Sequence, residues 1–100
     1  MSVNALRPIA KSSRPKLTAK ARLRFDRRDA QFLLLYPERG LLLNGTASDI
    51  LNLCSGRLTV GRIVELLATR HDDYVRELIQ NDIFTFLSDL RARGIIEWQP

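Results

Sequence analysis

The chain has 100 residues, of which 45% are hydrophobic and 27% charged, and its formal net charge is +5. This length and composition suit one small globular domain with its own core. The longest apolar runs, residues 32–36 and 41–43, are far shorter than the roughly 20 residues of a membrane span, and the amino terminus lacks the apolar stretch of a signal peptide. A single cysteine cannot form an internal disulfide, which is typical of cytoplasmic proteins. We therefore expect a cytoplasmic protein without a membrane partner.

The positive charge is concentrated at the amino terminus. Residues 1–24 contain seven basic side chains and no acidic one, whereas residues 25–100 contain nine basic and eleven acidic side chains. Residues 1–17 also contain Pro8 and Pro15 and too few apolar side chains to form a core. We predict a basic arm over residues 1–17, which is flexible or ordered only against a partner, and a folded domain over residues 18–98.

Three short strands are predicted after the arm. Residues 21–25 alternate between apolar and basic side chains, and residues 32–36 form a continuous apolar run. The turn-forming residues 37–40 then lead to a second run, and we expect a hairpin in which Gly40 takes a positive φ. Because both runs are apolar throughout, we expect the second face of the sheet to be covered by the arm or by another chain.

Three helices are predicted to follow the sheet, since apolar side chains recur there at helical spacing. Their starts are marked by residues that commonly cap helices: Thr46, Thr59, and Asp72 or Asp73. Gly56 and Gly94 are expected to end the first and the third helix. Residues 95–98 are expected to pair briefly with the sheet. The predicted fold is α+β, with a three-stranded antiparallel sheet followed by a three-helix bundle, similar to a winged helix.

No arrangement of residues in the sequence indicates catalysis. We interpret the single histidine, His71, as a surface residue and the single cysteine, Cys54, as a buried one. The cysteine, histidine and acidic residues do not have metal-ligand spacing, and the five glycines form no phosphate-binding loop. We therefore expect neither an enzyme nor a bound cofactor or metal.

The isoelectric point of about 10.1 suggests an alternative, namely a winged helix that binds nucleic acid. However, the second and third predicted helices balance their arginines with acidic side chains, and helices of mixed charge suit a phosphate backbone poorly. We expect no nucleic-acid partner, although the arm could make nonspecific phosphate contacts.

Two features favour a peptide-binding site instead. A three-stranded sheet has open edges, which can accept an extended peptide as another strand. The third predicted helix carries a second stripe beside its core stripe, formed by Leu78, Asp82, Thr85 and Asp89. If the last sheet strand lies next to this helix, a groove with apolar walls and a few polar contacts results. The same residues could equally be core leucines and a solvated acidic face, so both interpretations stay open at this point.

Several short motifs, in their order and spacing, resemble the pyrroloquinoline quinone (PQQ) biosynthesis protein D family. They span residues 14 to about 97 and are RPKL (14–17), RLRFD (22–26), LLYPERG (34–40), LNGTA (43–47), ILNLCSG (50–56), TVGRI (59–63) and DIFTFL (82–87), followed by Leu90 and Gly94. The resemblance implies a non-catalytic domain that binds the ribosomally made PQQ precursor peptide and presents it to a radical S-adenosylmethionine enzyme. A leader-peptide recognition domain for another peptide product is the closest alternative.

The resemblance also implies where the peptide binds, namely as an added strand on the third strand, beside the third helix. The peptide-binding residues expected on this basis are Leu41, Leu42 and Leu43 on the strand and Leu78, Asp82, Ile83, Phe86 and Asp89 on the helix. The precursor peptide and the radical enzyme are the expected partners, and we hypothesise that the basic arm docks the enzyme. The sequence is compatible with a monomer or with a strand-exchanged homodimer.

Overall fold

A computed structural model describes residues 9–37, 39–70 and 76–99. The elements among these residues are, in chain order, β1 (Arg14–Leu17), β2 (Arg22–Asp26), β3 (Gln31–Tyr36), β4 (Arg39–Leu42), α1 (Gly45–Asn52), α2 (Val60–Arg70), α3 (Arg76–Ala92) and β5 (Ile96–Gln99). The strands form two antiparallel sheets, one of β2, β3 and β4 in that order and one of β1 and β5. The predicted α+β class, with a three-stranded antiparallel sheet followed by three helices, is confirmed.

The three-stranded sheet is an antiparallel meander whose strands lie close to their predicted positions. Its register aligns Leu23, Leu34 and Leu41 across the three strands. Leu34 is fully buried, so this row faces the core. The alternate residues of each strand point to the opposite side of the sheet, because successive side chains of a strand alternate between its faces.

The reversal between β3 and β4 is tighter than the sequence predicts. Tyr36 pairs with Arg39, so two residues connect the strands. Gly40 lies within β4 and does not have a positive φ, so the predicted role of this glycine in the turn is wrong. The absence of a side chain matters instead for packing, because a Cβ at Gly40 would lie 3.4 Å from Cδ2 of Leu35 on the neighbouring strand.

The second sheet corrects the predicted arm. Residues 14–17 form β1 and pair with β5 instead of lying in a flexible segment. β1 also has a backbone partner on its other side, because the carbonyl of Pro15 accepts a hydrogen bond of 2.9 Å from the N–H of Gly56 and Lys16 forms a bridge with Ser55. Ser13 and Pro15 are buried despite the polar composition of the region. Residues 1–8 lie outside the described residues, and the hypothesis that the arm docks an enzyme stays a prediction.

The carboxyl-terminal strand pairs differently from the prediction. Residues 96–99 bond to β1 and not to the three-stranded sheet. Ile95 and Ile96 are each 2% exposed, so this segment contributes side chains to the core as well as a strand. The sequence alone did not predict this pairing, because the partner strand β1 lies in a basic, proline-containing segment that was predicted as an arm.

The helix starts are partly those predicted. Asn44, and not Thr46, caps α1, since its Oδ1 accepts a 2.8 Å hydrogen bond from the N–H of Ala47 while its backbone is extended. Thr59 caps α2 as predicted, because its Oγ1 accepts from the N–H of Arg62 at 3.2 Å. The predicted caps of α3, Asp72 and Asp73, lie outside the described residues. Gly94 follows α3 with a φ of 76°, as expected for a residue that ends a helix.

The core lies between the inner face of the meander and the three helices. The buried apolar side chains are Ala21, Leu34, Leu43, Ile50, Leu51, Cys54, Val60, Ile63, Val64, Leu67, Ile79, Ile83, Leu87, Leu90, Ile95 and Ile96. Full burial of one such leucine or isoleucine side chain contributes about 1.5–3 kcal/mol. Among the described residues, no helix has the length and apolarity needed to cross a membrane.

Candidate functional site

The edge of β4 exposes backbone hydrogen-bonding groups. Within the described part of the chain, β3 is its one paired neighbour. The N–H of Leu43 donates to the carbonyl of Phe32 at 2.9 Å. Hydrogen-bonded and non-hydrogen-bonded pairs alternate along an antiparallel ladder, so Leu41 also bonds to β3. The N–H and C=O groups of Gly40 and Leu42 therefore point away from β3, toward the free edge.

The three leucines predicted to contact a peptide differ in their accessibility. Leu41 is 42% exposed and lies at the edge of the core-facing side, whereas Leu42 is 52% exposed and lies on the opposite face. Leu43 is 4% exposed and belongs to the core. The strand thus offers two leucine side chains to a ligand, while the side chain of Leu43 holds the strand to the core.

A small pocket opens between α1, α2 and α3, close to the end of β4. It has a volume of about 150 Å³ and is lined by Thr46, Asp49, Ile50, Leu67, Ile79, Asp82 and Ile83. Thr46 follows Leu42 by four residues, so the pocket begins within one short connection of the free edge. Buried isoleucine and leucine side chains form its floor, and two carboxylates stand among its walls.

Helical spacing explains why the pocket combines apolar and polar groups. On α3, Asp82 and Ile83 follow Ile79 by three and four residues, which places all three on one face of the helix. On α1, Thr46, Asp49 and Ile50 have the same spacing. Each helix therefore contributes buried apolar residues and a more exposed aspartate to the same space.

The structure brings two of the five residues predicted on α3 into this pocket. Asp82 and Ile83 line it, and Ile83 is 1% exposed at the floor. Leu78 is 57% exposed, Phe86 is half-buried against the core, and Asp89 is exposed, but none of these three lines the pocket. The stripe predicted along the helix is therefore split between a pocket, the core and the solvent.

Five residues of the pocket are not among the peptide-binding residues predicted from the sequence. They are Thr46, Asp49, Ile50, Leu67 and Ile79. The matching spacing of Thr46, Asp49 and Ile50 on α1 was the available signal. This signal could not be used without knowing that α1 and α3 line the same pocket.

Cys54 has the buried, unreactive environment that the sequence predicts. It is 4% exposed, and its thiol donates to the carbonyl of Ile50 at 3.2 Å. Burial raises the pKa of this thiol to about 12, so it stays protonated at neutral pH. Among the residues that the structure describes, no group of three histidine, cysteine or acidic side chains could hold a metal ion. His71 lies outside them.

The arrangement is suited to binding an extended chain. A free edge with outward backbone groups can pair with a peptide, and an adjacent pocket can take one of its side chains. These features define a class of small α+β domains that add a peptide strand to an open sheet edge.

The chain belongs to the PqqD family, described as coenzyme PQQ synthesis protein D, whose family model matches residues 31–96. The family resemblance noted in the sequence is thereby confirmed. A protein named PqqA binding protein from Rhodopseudomonas palustris (strain BisB5) is 36% identical over 88 residues, which are 88% of this chain and 85% of that protein. The bifunctional coenzyme PQQ synthesis protein C/D of Methylorubrum extorquens is 35% identical over 83 residues, which are 83% of this chain and 22% of that longer protein.

A solved structure has the same fold. It is the solution NMR structure of the PqqD truncation of Methylobacterium extorquens PqqCD, described as a functional, stand-alone recognition element for ribosomally synthesised and post-translationally modified peptides. The two chains superpose with a TM-score of 0.74 at 34% sequence identity, over 89% of this chain and 94% of the other.

Proposed function

We propose that this chain binds the precursor peptide of PQQ biosynthesis as an additional strand on β4 and presents it to a radical S-adenosylmethionine enzyme. The observation that carries the proposal is the free edge of β4, where the backbone groups of Gly40 and Leu42 point outward beside the pocket. The family membership and the relatives named for binding PqqA support the choice of peptide.

The backbone contacts and the pocket have different tasks in this proposal. Each hydrogen bond to the edge contributes about 0.5–1.5 kcal/mol whatever the peptide side chain is. The pocket of about 150 Å³ holds one peptide side chain and thereby fixes the register of the added strand. Ile83 and Asp82 supply its apolar floor and a polar wall. Leu78, Phe86 and Asp89 remain predicted contacts of a longer peptide along α3.

Presentation gives the chain a non-catalytic role in the reaction. A peptide held on a second protein that itself meets the enzyme is present at a high effective concentration. The peptide is modified by the partner and not by this chain. The buried, unpaired thiol of Cys54 is compatible with the reducing cytoplasm in which we place this step.

The first test is titration calorimetry of the full chain with the synthetic PQQ precursor peptide and with a scrambled peptide of the same composition. We expect saturable binding of the native peptide alone. If neither peptide binds, the titration is repeated with the radical enzyme present. Continued absence of native-peptide binding would contradict the proposal and favour the leader peptide of another product.

Substitution of Leu42 tests the added strand directly. Leu42→Pro removes an N–H that points to the free edge and places the proline ring where an added strand would lie, yet it removes no hydrogen bond to β3. Leu42→Ala removes the side chain and keeps the N–H. We expect Leu42→Pro to weaken peptide binding at least about tenfold relative to Leu42→Ala, since about 1.4 kcal/mol corresponds to a factor of ten. Equal affinities of the two folded variants would exclude strand addition at β4.

A further inference from the structure

The face of the meander that points away from the core carries leucines flanked by arginines. Beyond the Asp26–Gln31 pair at one end, the strand register aligns two rows on it, namely Arg24, Leu33 and Leu42, and Arg22, Leu35 and Gly40. We call these six residues the outer face. It is distinct from the pocket between the helices, with which it shares no residue.

The leucines of the outer face do not pack against the core. Leu42 is 52% exposed. Leu33 and Leu35 are half-buried, and neither is among the described side chains of the core cluster or those packed against it. The sequence predicts that the arm or another chain covers this face, but residues 14–17 of the arm pair with β5 in the other sheet. An apolar sheet face of this kind marks an interaction site.

The charge around these leucines is positive. Within residues 9–37, 39–70 and 76–99, no carboxylate lies within ion-pair distance of Arg22 or Arg24. Two shallow depressions, both lined by Arg24, also contain Lys20, Arg27 and Arg28, so that basic side chains outnumber the one carboxylate, Asp26, that lines the second depression. The outer face thus has an apolar centre with a cationic border along β2.

We propose that the outer face docks an acidic protein surface, with an apolar patch on the leucines and carboxylates opposite Arg22 and Arg24. A second copy of this chain fits poorly, because its own outer face is also bordered by arginines and offers few carboxylates to Arg22 and Arg24. A nucleic acid fits poorly as well, because the centre of the face is apolar and Asp26 lies on the same face of β2 as Arg22 and Arg24.

This inference rests on the proposed function for the identity of the partner. A peptide added to β4 extends the sheet, so every second peptide side chain emerges on the outer face next to Leu42. A protein docked there touches both this chain and the peptide. The partner with a reason to touch both is the radical enzyme that modifies the peptide.

The test measures the affinity of the full chain for the purified radical S-adenosylmethionine enzyme of the pathway, by surface plasmon resonance at two salt concentrations. The variant Arg22→Glu/Arg24→Glu reverses the border of the outer face. Its control, Arg57→Glu/Arg93→Glu, makes the same change in net charge at exposed arginines away from this face. Leu33→Ser tests the apolar centre. Calorimetry with the precursor peptide is run on every variant, so that failure of peptide binding is seen separately from failure of docking.

We expect the outer-face double variant to weaken enzyme binding at least tenfold and to reduce its salt dependence, with less than a twofold change for the control. We expect Leu33→Ser to weaken enzyme binding and all variants to keep their peptide affinity. The inference is overturned if the two double variants bind the enzyme equally, or if the wild-type chain binds peptide but not enzyme. It is also overturned if Arg22 and Arg24 instead govern binding to phosphatidylserine vesicles, to duplex DNA or to a second copy in sedimentation.

Discussion

The two sheets of this protein are built from strands of similar length, but β1 in one sheet has backbone partners on both sides, whereas β4 in the other has a partner on one side. In the β1–β5 sheet, backbone groups of β1 bond to β5 on one side and to the segment before α2 on the other, and Pro15 and Ile96 are buried. In the meander, all four residues of β4 are exposed and one side of the strand has no partner among the described residues. An unpaired edge is a liability in a stable fold, so its retention beside a pocket indicates a binding function.

The difference also shows that composition does not reveal which segment is free to bind. The basic, proline-containing strand β1 has backbone partners on both sides, and we call the β1–β5 sheet the closed sheet for this reason. The apolar strand β4 is the exposed one, and we call its unpaired side the open edge. Hydrogen bonding and packing decide this, because β1 has two partners for its backbone. Three measurements test this difference between the closed sheet and the open edge.

The largest expected effect is on stability, at Ile96 of the closed sheet. Ile96 is 2% exposed, so Ile96→Ala leaves a cavity and is expected to lower the free energy of unfolding by about 2–5 kcal/mol. Leu41→Ala, at a side chain that is 42% exposed on the open edge, should cost about 1 kcal/mol or less. Urea denaturation with an unchanged m-value measures both. Similar losses at the two sites would mean that β4 is as strongly packed as β5.

The next effect concerns peptide affinity beside the open edge. Asp82→Lys places a long cation in the pocket, and we expect it to weaken binding of the precursor peptide about tenfold, or about 1.4 kcal/mol. Glu77→Lys makes the same charge change at an exposed carboxylate of the same helix, which neither lines the pocket nor is a predicted peptide contact. Calorimetry should show little change for this control. An unchanged affinity for Asp82→Lys in a folded protein would remove Asp82 from the site.

The last effect is a dependence of stability on pH, set by Cys54 in the core, and it is the smallest of the three as long as the pH stays close to 9. Burial raises the pKa of its thiol from 9.0 to about 12, so the folded state holds this proton more tightly than the unfolded state does. The stabilisation is complete below about pH 9 and is lost as the pH rises toward 12, at less than about 1.4 kcal/mol per pH unit. Denaturation of the wild type and of Cys54→Ala at pH 8 and at higher pH should show the extra alkaline loss in the wild type alone. Parallel losses would assign it to other groups.

The sequence predicts the local elements of this fold better than their partners. Strong periodicity identified the helices and the hairpin, and Ile83 and Asp82 were assigned to the site through the family resemblance. The pairing of β1 with β5 joins residues about 80 positions apart, and no local pattern specifies such a contact. Helical capping depends on the backbone as well as on residue type, which is why Asn44 and not Thr46 caps α1.

The site was predictable where one element defines it and unpredictable where two elements meet. The exposed edge of β4 follows from the strand order. The pocket depends on the relative placement of α1 and α3, which no local pattern specifies. Asp49 and Ile50, which line the pocket, were therefore not predicted as site residues. The position of Phe86 along α3 is compatible with a groove residue and with a core residue. In the structure, Phe86 packs against the core.

The shortness of β4 has a kinetic consequence. Gly40 and Leu42 together present two N–H and two C=O groups to an added strand, so the edge can form few hydrogen bonds with any peptide. Affinity differences between related complexes lie mostly in the dissociation rate, and a small set of contacts keeps that rate high. A protein that delivers its cargo must also release it after each round. The four-residue edge therefore suits a protein that binds and releases its peptide repeatedly. A longer edge would form more hydrogen bonds and release the peptide too slowly.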